Sequence, residues 1–121
     1  MELIAKELVA KELGEKRESV IQLMLATTGN VSPPEEQRQF VSGFIDLVIA
    51  AAQGNTTARD EYLEAVIPGC KSAGLEFSFV VATMVPVSMA FAATLSHETF
   101  PWCAAFCLDY TKRLIETWQK S

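Results

Sequence analysis

The chain has 121 residues, half of them hydrophobic, and a formal net charge of −5 at pH 7. That length fits one domain with a real core of moderate stability. The acidic balance and the scattered Lys and Arg disfavour nucleic acid and anionic membrane surfaces as partners, since both are bound through clustered positive charge.

The apolar share is high for a soluble domain and suggests that a partner subunit covers part of the surface. Cys70, Cys103 and Cys107 cannot all pair within one chain. The alternating charges at the N-terminus do not read as a secretory leader, so a reducing cytoplasm is the expected location.

The first segment, ELIAKELVAKELGEKRESVIQLMLATTGN, repeats Glu to Lys at a spacing of four in Glu2/Lys6, Glu7/Lys11 and Glu12/Lys16. Such pairs support an exposed helix by about 0.2–0.5 kcal/mol each. Gly14 predicts a kink or break before a second helix with Val20, Ile21, Met24 and Leu25 on one face, and Gly29 and Asn30 predict its end. In SPPE, Ser32 suits a cap, Pro33 the first helical position and Glu35 the return arm of a capping box. Phe40, Phe44, Leu47, Val48 and Ala51 then recur at helical spacing up to Gly54. Thr57 with Asp60 starts another helix, with Tyr62, Leu63, Val66, Ile67 and Cys70 facing inward, a bend at Pro68 and an end at Gly74.

The stretch FSFVVATMVPVSMAFAATLSH, residues 77 to 97, holds no Asp, Glu, Lys or Arg. Its length meets the threshold for a bilayer span. Its central Pro86, its hydroxyls at Ser78, Thr83, Ser88 and Thr94, and the lack of flanking Lys or Arg favour one buried helix of a soluble bundle instead. Thr99 and Pro101 open a last helix, PWCAAFCLDYTKRLIETWQK. On it Cys103, Ala104, Phe106, Cys107, Leu108, Tyr110, Leu114, Ile115 and Trp118 fill an arc of roughly 200°, wider than one core needs. A symmetric homodimer is the simplest cover for the surplus, with Val87, Phe91, Phe106, Tyr110 and Trp118 as candidate interface residues. No segment alternates with period two, so the expected class is all-α, with five to six helices.

No residue set announces catalysis: there is no Gly-rich phosphate loop, no HExxH, and no nucleophile with an evident base. The reading is therefore non-enzymatic. His97 is the single histidine and lies in SHETF, where a solvated or capping role fits better than a haem or metal ligand. Cys103 and Cys107 are one turn apart; a soft-metal or redox pair is conceivable, but their place in the apolar arc favours packing. Phe44, Val48, Val66, Cys70 and Met84 are the candidate lining of an apolar ligand pocket.

Residues 36 to 96, with GFIDLVIAAAQGN and AGLEFSFVVATMV as the most telling pieces, resemble the globin-like N-terminal sensor domain of the RsbR-type stressosome proteins. The ending RLIETWQKS fits the long helix that in the family leads toward a STAS domain. The resemblance implies a globin-like bundle without some early small helices, dimeric and without haem, that conveys a signal in a stress-response assembly. Residues 33 to 53, 57 to 73, 75 to 95 and 100 to 120 would match the globin E, F, G and H helices. The segment in the F position, ARDEYLEAVIPGCKSAG, has no proximal histidine, so haem is not expected. Related sensor domains hold a fatty acid, which implies an alternative role as carrier or sensor of an apolar small molecule. No STAS region follows Ser121, which leaves an isolated sensor domain or a free-standing family member as the two expectations.

Overall fold

The computed structural model describes residues 2–28 and 34–121; the side chains of residues 2–5, 27, 28, 34, 36 and 37 lie outside the description. The chain is all-α. Its helices are α1 (Glu2–Thr28), α2 (Pro34–Ala52), α3 (Ala58–Ser72), α4 (Phe77–Ala82), α5 (Met84–Thr94) and α6 (Phe100–Lys120). The expected stop at Gly29 and Asn30 and the cap at Ser32 and Pro33 fall outside the described residues, and with them the capping box of Glu35.

Two helix boundaries differ from those read in the sequence. Gly14 does not break α1, which runs unbroken through it. Its φ is not positive and nothing lies within 4 Å of where its Cβ would be. A lone glycine costs a helix interior only about 0.5–1 kcal/mol, which the buried Val9, Leu13, Val20, Ile21 and Met24 readily offset. Conversely, the single helix expected over residues 75 to 95 is two, α4 and α5, meeting at Thr83. Pro86 accounts for the break: it has no N–H for the Ala82 carbonyl, and its ring crowds that carbonyl. The Thr83 hydroxyl donates to the Val80 carbonyl at 2.6 Å and keeps the junction tight.

The stops at Gly54 and Gly74 follow the sequence closely. Both glycines have positive φ, +100° and +76°. After α2, Gly54 N–H donates to Ala51 O and Asn55 N–H to Ala50 O; after α3, Gly74 N–H donates to Lys71 O and Leu75 N–H to Cys70 O. Each pair closes a helix end in the Schellman pattern. At the start of α3, Thr57 stands at the cap position without capping, and its N–H donates to Asn55 Oδ1 at 3.2 Å. Asp60 serves elsewhere, accepting from Arg113 of α6 at 3.2 Å.

Helix α1 packs on α2, α5 and α6, α2 on α3, and α6 on α3, α4 and α5. Phe44 of α2 is the hub of the core. Its ring lies 5.0 Å from Tyr110, 6.3 Å from Phe106, and 6.4 Å from both Tyr62 and Phe91, centroid to centroid. Polar ties set the helix register at the edges. Arg17 donates to Ser42 Oγ at 3.0 Å and to Asp46 at 2.5 Å, Arg38 donates to Glu18, and Arg59 of α3 pairs with Asp109 of α6. Exposed pairs of this kind contribute about 0–1 kcal/mol each, so the apolar core carries the stability.

Candidate interaction surface

Helix α6 buries Cys103, Cys107, Tyr110 and Leu114, a strip at spacings of three and four. One flank of that strip faces α3, through Asp109 to Arg59 and Arg113 to Asp60. The other flank faces α4 and α5: Trp118 meets Phe77 of α4 at 5.6 Å, and Ser88 of α5 lies at hydrogen-bonding reach of Cys107. Leu108 belongs to this second flank and is 75% exposed.

On the α5 side the core takes Met84, Val87, Ala90 and Phe91. Rotating from that strip past Ser88 brings Val85 and Ala92, then Met89, to the outside. Val85 is 61% and Met89 58% exposed, and Ala82, Ala92 and Ala93 are exposed with them. Helix α5 packs on α6, which itself exposes Leu108 and Ala105. The two adjoining helices each expose apolar residues, and α5 holds no charged residue. Phe77–Thr94 is also long and apolar enough to cross a bilayer by composition, with mean hydropathy 1.8, yet only 28% of it is buried in the chain.

This geometry relocates the surplus apolar surface. Val87, Phe91 and Tyr110, expected at a dimer interface, are sealed in the chain's own core, and Phe106 and Trp118 are partly buried against it. Among the described large apolar residues the most exposed are their helical neighbours Val85, Met89 and Leu108, ahead of Leu23, Leu75 and Phe79. A helix with no charged positions offers no polar face to tell inside from outside, so the sequence alone could not choose between Val87 and Val85.

The candidate pocket residues sit at different depths. Phe44, Val48 and Met84 are buried in one core, while Val66 and Cys70 are half-buried on α3. Two clefts lie elsewhere and are open to solvent. One, of about 190 Å³, is lined by Arg59, Asp109, Lys112, Arg113 and Glu116; another, of about 170 Å³, runs along Leu8, Lys11, Glu12 and Glu15.

Burial pushes the Cys103 thiol up to about 12 and the Cys107 thiol up to about 11, and it raises Cys70 as well. All three stay protonated near neutrality, whereas metal binding and disulfide exchange need thiolate. Among the described residues no group of three or more His, Cys, Asp or Glu side chains is placed to hold a metal ion. His97 is exposed in the turn between α5 and α6.

That turn also holds a cluster that local sequence patterns do not reveal. Glu12 of α1 accepts from Ser96 N–H at 2.6 Å, Ser96 Oγ at 2.9 Å and Thr99 Oγ1 at 3.1 Å. Lys16 donates to Glu12 at 3.2 Å and to the Thr94 carbonyl at 3.0 Å. Partial burial pushes the Glu12 carboxyl up, but the donors from Ser96, Lys16 and Thr99 outweigh it and hold the group below its ordinary value. The partners lie about eighty residues apart in sequence, beyond the reach of any spacing rule; only the Glu12/Lys16 spacing was a visible signal.

No family model matches the chain, and no curated protein or solved structure matches it either.

Proposed function

We propose that the chain is a non-enzymatic regulatory domain that works as a homodimer, paired through the apolar face of α5 and α6, and conveys a signal to a stress-response assembly of the stressosome type. The observation that carries the pairing is the exposure of Val85, Met89 and Leu108 on adjoining helices. An apolar face of this kind on a small domain marks an interaction site. A second copy suits it: the α5 half is uncharged and needs no partner of opposite sign, and a two-fold axis near Leu108 would bury the same patch on both subunits. The assembly and the signal rest on the family resemblance of residues 36 to 96 alone.

Sedimentation equilibrium at micromolar concentration tests the pairing. The expected species is a dimer, and Leu108→Asp, at a position largely exposed in the single chain, should give a folded monomer with unchanged circular dichroism. A wild type that stays monomeric, or that is recovered only with membranes, would overturn the reading.

A further inference from the structure

The Glu12 and Lys16 side chains act on two helix ends at once. Lys16 places a cation on the Thr94 carbonyl at the C-terminus of α5, and Glu12 places an anion against Ser96 and Thr99 at the N-terminus of α6. Each charge has the sign that its helix end favours. Thr99 is fully buried and stands at the cap position of α6, yet its side chain makes no cap bond within its own helix; its hydroxyl is held by Glu12 and by the Ser96 carbonyl. The turn is therefore fastened from outside, by α1.

A second observation shows that the fastened state is not fully satisfied. Among the described residues, Thr94 Oγ1, at the same turn, is buried without a hydrogen-bond partner. An unpaired buried hydroxyl disfavours the arrangement that buries it, and admitting water to the turn would satisfy it. One pair of charges thus holds the turn closed while one orphan hydroxyl favours its opening.

We propose that Glu12 and Lys16 form a releasable clamp by which α1 controls the α5–α6 turn and, through it, the apolar face that α5 and α6 carry. The clamp stands on the contacts at the turn; its control of the face rests on the proposed function. Breaking the Glu12 and Lys16 contacts, with α1 still seated on the core through Val9, Leu13 and Val20, frees residues 95–99, loosens the fixed relation of α5 to α6, and so changes how well Val85, Met89 and Leu108 align for a second subunit.

Hydrogen–deuterium exchange of the full chain, read on peptides covering residues 95–99, tests the clamp with two variants of opposite effect. Glu12→Ala removes the acceptor of the Ser96 amide and should speed exchange there about ten-fold, the change implied by one lost charge-assisted hydrogen bond. Thr94→Val removes the orphan hydroxyl and should slow it about two- to five-fold. In parallel, Glu12→Ala should weaken dimerisation several-fold although it lies outside the face. Unchanged exchange at 95–99 in both variants would overturn the clamp. Altered exchange with an unchanged dimer constant would overturn its control of the face and leave a purely structural tie. A monomeric wild type would overturn the proposed function and that control together, while the exchange arm would still decide the clamp. Thr94→Val also decides it if Glu12→Ala fails to fold.

Discussion

Glu12 is the side chain with the most consequential surroundings, because four donors converge on a carboxylate with little solvent around it. Its value in the fold lies below the ordinary 4.5. A carboxyl lowered by folding adds stability that is fully present above the unfolded value and is lost as pH falls through the folded one. Replacing it in Glu12→Gln should cost about 1–3 kcal/mol near neutrality, and the gap to wild type should narrow as pH drops below about 4.5. Denaturant titrations at several pH values measure this; Asp60, also held low, is present in both proteins and cancels in the difference. A gap that stays constant from pH 7 to pH 3 would mean that the carboxylate is not the group being lost.

The glycines show at the scale of helices what was legible beforehand and what was not. Gly54 and Gly74 announced helix ends because a left-handed residue there has a local cause, the need to turn and pair the last carbonyls. Gly14 looked the same in sequence, but its setting is decided by distant packing, and α1 passes straight through. Opposite outcomes follow for one substitution. Gly14→Ala should raise stability by about 0.5–1 kcal/mol, since its site is open and helical. Gly74→Ala, at a φ of +76°, should lower it by about 1–2 kcal/mol. Thermal melts of the two variants check both signs, and a destabilising Gly14→Ala would restore the break that the sequence suggested. The inward faces of α2 and α3 were legible for a related reason: their charged positions mark the outer side, so Phe44, Val48, Leu63 and Ile67 fell on the buried one.

For the whole molecule, pairing has a signature that no single-chain property imitates. If folding and dimerisation are linked, the melting temperature rises with protein concentration, because mass action favours the state that binds its own copy. Tm measured from a few micromolar to a few hundred should climb for wild type and stay flat for Leu108→Asp; a flat wild-type curve would leave the exposed face of α5 and α6 without its proposed cover. The helical class, the approximate boundaries and the excess of apolar surface could all be read from periodicity and composition. The side of α5 on which the excess lies could not, because in a helix without charges only the tertiary neighbours decide it. The same holds for the ties between α3 and α6 at Arg59, Asp109, Asp60 and Arg113, which long-range geometry alone brings together.

Pro86 gives the apolar face a last property. The Ala82 carbonyl receives no hydrogen from position 86, and Ala82 is exposed at the end of α4, as Val85 and Met89 are on α5. Pro86 removes one backbone hydrogen bond from an otherwise hydrocarbon stretch, a loss that water can make good and lipid cannot.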